Sequence, residues 1–149
     1  MALYEVYCDG ASRGQGASDK VLGEGACAIV IYKNNRLWGQ YARGLGKVTN
    51  NQAEYEGVLL GIMACWFADL PDPIIYSDST LVVNQVNKVW QPPKLGTGLR
   101  HLLLSIFEIR EEFRFRVMHR PRTDRGIAQA DLLAKQFLDK LLHDQIALL

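Results

Sequence analysis

From Leu3 to Cys8 apolar and polar positions alternate, rich in aromatic and β-branched side chains, which predicts a short strand closed at Asp9-Gly10. A glycine-rich stretch follows (Gly10, Gly14, Gly16, Gly23, Gly25), read as a loop. Ala26 to Tyr32 is a nearly continuous apolar run, the pattern of a central strand buried on both faces. Asn34-Asn35 predicts a tight turn, and Leu37 to Arg43 the returning arm of a hairpin. The period then lengthens. Tyr55, Val58, Leu59, Ile62, Met63 and Trp66 recur at three- and four-residue spacing, one apolar stripe of a helix that starts near Asn51 and is stopped by Pro71 and Pro73. Beyond it the pattern predicts a buried strand at Ile74 to Ser77 and a short helix from Ser79 to Val89. A loop through Pro92-Pro93 and Gly96-Thr97-Gly98 leads to a helix over about Leu99 to Glu112 and a strand from Phe113 to Met118. The last helix spans Ile127 to Leu142, with Leu132, Leu133, Phe137 and Leu141 as its inner face.

Three strands, a helix, a strand, two helices, a strand and a helix make an α/β chain. A hairpin followed by βα units implies a five-stranded mixed sheet flanked by helices. With no linker, repeat or low-complexity segment, residues 1–149 read as a single domain. In such sheets, sites form where strand C-termini give way to helices.

Composition narrows the class without choosing a function. Of the residues, 48% are apolar and 22% charged, and no apolar run approaches the ~20 residues of a membrane helix, so a globular protein without a membrane partner is expected. The N-terminus lacks the basic start of a signal peptide. Cys8, Cys27 and Cys65 have neither pairing nor metal-type spacing, so buried free thiols in a reducing cytoplasm are expected. The net charge of +1 says nothing about nucleic acid. Arg110, Arg114, Arg116, Arg120, Arg122 and Arg125 crowd one stretch, which reads either as a phosphate-binding patch or as a solvated helix end and strand.

Four acids hold the candidate chemistry. Asp9 and Asp78 end strands that, if parallel neighbours, bring both side chains to one sheet edge; Glu54 and Asp131 each sit a turn into a helix. Four gathered acids repel one another unless cations neutralise them. Their oxygens are hard ligands suited to Mg²⁺ or Mn²⁺, and no Cys/His set for zinc is present. A pair of such ions ~3.5–4 Å apart can activate water and stabilise the leaving oxygen of a phosphodiester. Each acid also has an ordinary alternative. Asp9-Gly10 makes a turn, and Asn51 with Glu54 makes a helix cap with an acid at its third position. Asp78 or Ser79 caps the next helix, and Asp131 pairs with Lys135 one turn on. Composition and spacing leave the function open.

Read together, Tyr7-Cys8-Asp9-Gly10-Ala11-Ser12, Thr49-Asn50-Asn51-Gln52-Ala53-Glu54, Tyr76-Ser77-Asp78-Ser79 and Ala130-Asp131-Leu132-Leu133-Ala134 resemble the ribonuclease H type 1 signature, in order over nearly the whole chain. Each piece is weak; the joint pattern is specific. The resemblance implies the ribonuclease H-like fold and an endoribonuclease that cuts the RNA strand of an RNA/DNA hybrid with two Mg²⁺ or Mn²⁺ ions, leaving 5′-phosphate and 3′-hydroxyl ends. By similarity, Asp9 bridges both ions, Glu54 and Asp78 hold the one nearer the leaving group, and Asp131 the one carrying the attacking water. Positioning and charge neutralisation then supply the catalysis, with no nucleophilic side chain. Gly10, Ala11 and Ser12 offer backbone groups beside the ions. Asn50, Asn51 and Gln52 can bond sugars and base edges, where the 2′-hydroxyl distinguishes RNA from DNA. Thr49, with Asn50 as a second candidate, is assigned by the same resemblance to a phosphate of the DNA strand. The alternative for this run is a polar turn and helix cap.

The sequence departs from the family pattern at four places. Gln15, between Gly14 and Gly16, replaces the asparagine of related bacterial enzymes and is kept as a DNA-strand contact. The basic helical extension is missing after Val86-Asn87-Lys88, so the expectation is that binding is weaker or leans on Lys88, Lys94 and the arginines, because phosphate neutralisation dominates affinity. Where many members carry a histidine ahead of the last acid, this chain offers His119 and Arg122, a Pro121-Arg122 pair like that of the archaeal-type branch. Ile127 stands where an asparagine is common. The expected partner is an RNA/DNA hybrid, with the protein a monomer lacking an obligate protein partner. Two other readings stay open: a nuclease of the same fold with another duplex preference, and a binding module without chemistry.

Overall fold

The computed structural model describes residues 1–13 and 22–147. Its elements in chain order are β1 (Tyr4–Arg13), β2 (Gly23–Lys33), β3 (Arg36–Val48), α1 (Asn50–Phe67), β4 (Ile74–Ser77), α2 (Thr80–Val86), α3 (Arg100–Glu112), β5 (Arg116–His119) and α4 (Arg125–Ala147). The five strands form one mixed sheet in the order β3-β2-β1-β4-β5. β1 pairs antiparallel with β2 and β2 with β3, whereas β1–β4 and β4–β5 are parallel. This is the α/β architecture expected of the ribonuclease H-like fold.

Alternation along each strand divides the core into two layers. Val6, Cys8, Ile29, Ile31 and Ile75 pack against Tyr55, Val58, Leu59 and Ile62 of α1 and the apolar residues of α2 and α3. On the opposite face Tyr7, Ile74 and Tyr76 meet Ile127 of α4. The interior strand β2, next to the central β1, is buried along nearly its whole length. The thiols of Cys8, Cys27 and Cys65 are free and buried, and burial first of all raises each above its ordinary value. Among the described residues no helix is long and apolar enough to cross a membrane.

Several boundaries differ from the sequence reading, each for a local reason. β1 does not stop at Asp9-Gly10; its ladder with β2 continues from Asp9 opposite Ala28 to Arg13 opposite Glu24. Gly23 and Gly25, read as loop, belong to β2, with Gly25 opposite Ser12 of β1 and Gly23 opposite Val48 of β3; a side chain on Gly25 would run into Val48. β3 likewise continues past Arg43 to Val48, with register shifts opposite Gly25/Ala26 and Ile31/Tyr32. The helix after Ser79 ends at Val86 because Lys88 takes a left-handed conformation (φ 61°). β5 starts only at Arg116, because Phe113 closes α3, its N–H bonded to the Ile109 carbonyl. α4 begins earlier, at Arg125, where Asp124 Oδ1 accepts from the Gly126 and Ile127 N–H groups as an N-cap.

The inner face of α4 is also corrected. Ile127, Ala130, Ala134 and Leu138 are buried, Leu133, Phe137 and Leu141 flank them, and Leu132 is 56% exposed. Small residues set this face: Gly126 lies so close to Tyr7 that a Cβ there would fall 2.3 Å from the ring. α4 also outlasts Leu142, reaching Ala147 with Ile146 exposed; Leu148 and Leu149 lie outside the described residues.

Candidate active site

Parallel pairing of Tyr7 with Tyr76 puts Asp9, two residues further along β1, level with Asp78, one residue past β4. Both side chains therefore emerge at the same edge of the sheet. α1 brings in Glu54 because two glycines remove the side chains that would hold helix and strand apart. A Cβ on Gly10 would fall 2.0 Å from the Ala53 carbonyl oxygen, and one on Gly57 2.8 Å from that of Asp9. Across this contact the Gly10 N–H donates to Glu54 Oε1 at 2.9 Å. Asp131 arrives from the second turn of α4.

Carboxylate oxygens of Asp9, Glu54 and Asp78 all lie within 4.8 Å of one another. Asp131 stands outside that trio but hydrogen-bonds to Asp9 and lines the same cleft of about 350 Å³. Asp9 and Glu54 are buried, at 6% and 8% exposure. Burial pushes the Asp9 carboxyl up to about 8; the hydrogen bond with Asp131 adds to the rise, Glu54 opposes it, and the charges of Asp78 and Asp131 reinforce it. Glu54 is raised well above its ordinary value, first by burial and then by the charges of Asp9 and Asp78. Asp131 behaves oppositely. Burial pushes it up, but its hydrogen bonds with Asp9 and Lys135 and the charges of Lys135 and Arg122 outweigh that and hold it below the usual carboxylate range. Burial and the neighbouring carboxylates thus favour the protonated form of Asp9, while Lys135 and Arg122 favour the charged form of Asp131.

Two cations face four acids in this cleft. Arg122 Nε lies 3.6 Å from Asp78 Oδ2 with its side chain 88% exposed, and Lys135 Nζ lies 2.9 Å from Asp131 Oδ2. The remaining negative charge and the all-oxygen donor set fit a small, hard divalent cation.

The other residues singled out in the sequence divide. Gly10, Ala11, Ser12, Asn50, Asn51 and Arg122 line the cleft, with Ser12 Oγ donating to the Val48 carbonyl at 2.8 Å. Thr49 and Gln52 are not among its lining residues. Their side chains form a capping box at the start of α1: Gln52 N–H donates to Thr49 Oγ1 at 3.1 Å, and Thr49 N–H to Gln52 Oε1 at 2.8 Å. Asn51 and Glu54 are therefore not the cap pair of the ordinary alternative. His119 is exposed at the end of β5, opposite Ser77, and outside the cleft lining. Gln15 lies outside the described residues. In the arginine stretch, Arg110 stacks 4.8 Å above Phe115 and bonds the Val86 carbonyl, and Arg120 stacks 4.5 Å above Tyr76. These two serve packing. Lys88 is turned onto Phe107, its Nζ 5.0 Å from the ring centre. Sequence reasoning missed two cleft residues: Ser79, whose side chain caps α2, and Lys135, read only as a helix pair.

Comparison with known proteins agrees with this architecture. Residues 12–137 match the family model described as reverse transcriptase-like. Among curated proteins no sequence matches significantly. Of the solved structures, ribonuclease H1 from the halophilic archaeon Halobacterium salinarum is 28% identical, with a TM-score of 0.79 over 92% of this chain and 98% of that one. LC11-RNase H1, solved in complex with an RNA/DNA hybrid, is 25% identical, with a TM-score of 0.80 over 93% of this chain and 99% of its own. The N-terminal RNase H domain of a Mycobacterium tuberculosis protein shares the fold at 24% identity, with a TM-score of 0.81 over 97% and 99% of the two chains.

Proposed function

Since the chain belongs to the reverse transcriptase-like family, in its ribonuclease H type 1 branch, we propose that it is an endoribonuclease hydrolysing the RNA strand of RNA/DNA hybrids with divalent metal ions, Mg²⁺ or Mn²⁺. The observation that carries this reading is the convergence of Asp9, Glu54 and Asp78 within 4.8 Å, with Asp131 on the same cleft.

In this reading the four carboxylates hold two ions when substrate is bound. Ions there would neutralise the acids, sharpen a water as nucleophile and stabilise the departing 3′-oxygen, leaving 5′-phosphate and 3′-hydroxyl ends. The chain's own residues provide placement. Asp9 is fixed in mid-strand, and Glu54 is held by the Gly10 N–H, so neither has to be ordered as substrate arrives. Asn50 and Asn51, on the cleft wall, offer side-chain amides for the sugar edge of the RNA strand, and the open backbone from Gly10 to Ser12 faces the same space. The mutual cap of Thr49 and Gln52 holds the start of α1, so their contribution to a DNA phosphate comes through the backbone they position. Arg122 is an exposed charge at the mouth, suited to a phosphate oxygen, and His119 lies outside the cleft lining. A reducing compartment such as the cytoplasm suits the three free thiols.

The test compares cleavage of a labelled RNA/DNA hybrid, duplex DNA and duplex RNA under Mg²⁺ and Mn²⁺. Cutting confined to the RNA strand of the hybrid is expected. Preferential cutting of duplex DNA would transfer the site to another substrate, and an intact hybrid with both metals would refute the nuclease reading.

A further inference from the structure

Asp131, outside the trio of close acids, holds the tighter of the two ion pairs on the cleft. Lys135 is one helical turn further along α4, its ammonium is 2.9 Å from Asp131 Oδ2, and both residues line the cleft. The two side chains are 55% and 32% exposed, so the pair is neither locked in the core nor fully solvated. On an isolated helix such a pair is worth little. Here it stands on a cleft whose other acids are the buried Asp9 and Glu54 and the half-buried Asp78, so the ammonium neutralises the carboxylate that a second divalent ion would need. Arg122 does not compete in the same way: it is 3.6 Å from Asp78 and 88% exposed.

We propose that Lys135 is a tethered counter-cation for the ion position served by Asp131: it holds that carboxylate in the ion-free enzyme, must swing out for a divalent ion to bind there, and so sets the concentration at which the second position fills. The inference rests on the divalent-ion reading above and goes beyond it by assigning a residue that controls ion affinity. It divides the site into a position free to bind, at Asp9, Glu54 and Asp78, and a position closed by the protein itself. Lys135 is here a positioning residue, acting through Asp131.

Mn²⁺ titration of the full chain without nucleic acid, carried to millimolar ion because no substrate is there to help fill the second position, and followed by the free-ion EPR signal, tests this directly. Relative to wild type, Lys135→Met is expected to bind its second Mn²⁺ about three- to tenfold more tightly, with the first moved much less. Lys135→Arg, which keeps the charge, is expected to stay near wild type, and Asp131→Asn to lose the second ion whatever stands at position 135. Equal or weaker second-ion binding in Lys135→Met, or no second ion in either protein, overturns the proposal. So does a second ion that survives in Asp131→Asn. Absence of the first ion from every variant removes the divalent-ion reading itself, an outcome distinct from failure at Lys135 alone.

Discussion

Ionising Asp9 works against its surroundings, and that sets the cost of the charged form to the fold. Its carboxyl is raised to about 8 from an ordinary value near 3.8, mainly by burial, and Glu54 is raised in the same direction. A raised acid binds more protons folded than unfolded. Its stabilising contribution is complete below pH ~4 and is lost as pH climbs through about 8. In chelator, Asp9→Asn is expected to gain stability over wild type. The gain should be small at pH 5 and on the order of 1–3 kcal/mol at pH 8, roughly 3–10 °C in Tm. Thermal melts at the two pH values check it; an equal difference at both would show that burial does not tax this carboxylate. The same protons must leave when ions bind, so calorimetric Mg²⁺ affinity should increase with pH up to about 8. Catalysis should be lost in the asparagine variant despite its stability, the separation expected of a functional acid.

The contact between β1 and α1 is what turns separate residues into a site. Because Gly10 and Gly57 meet backbone on the other element, a methyl group at either has no flexible neighbour to displace. Gly57→Ala is expected to push α1 off the strand, costing ~1–3 kcal/mol in a denaturant melt and at least about tenfold in hybrid cleavage as Glu54 shifts. Thr49→Ala removes half of the capping box and should cost ~1 kcal/mol with a smaller effect on rate. If the two variants lose activity in proportion to stability alone, the helix is not what positions Glu54. Elements with a single strong periodicity were legible in the sequence: β4 falls on Ile74 to Ser77 as read, and α1 starts one residue from the expected position. Elements built on small residues were not. Gly10 looked like a strand end although it continues the ladder, and Ala130 and Ala134 were passed over for the larger Leu132 when the inner face of α4 was chosen. Size-weighted patterning overlooks positions where closeness, rather than bulk, makes the packing.

Across the whole molecule, the mixed sheet explains why acids from four distant segments could be named together. Any one of them reads equally well as a turn, a cap or a helix pair, and two such local roles are indeed filled nearby, by Ser79 for α2 and Asp124 for α4. The joint motif singled out the four acids, and the parallel pairing of β1 with β4 supplies the physical reason that Asp9 and Asp78 are level. What stayed hidden was the side of α4 on which Lys135 lies, since an acid and a lysine four apart look the same on a solvated helix and at the rim of a cleft. The most direct measurement is single-turnover cleavage of an end-labelled RNA/DNA hybrid by wild type, Asp9→Asn and Asp78→Asn, with Mg²⁺, with Mn²⁺ and with chelator. Wild type should cut the RNA strand to 5′-phosphate and 3′-hydroxyl ends only when metal is present, and either substitution should slow cutting by at least about a thousandfold. Cleavage that persists in chelator, or in either variant at the wild-type rate, would contradict the assignment of these acids.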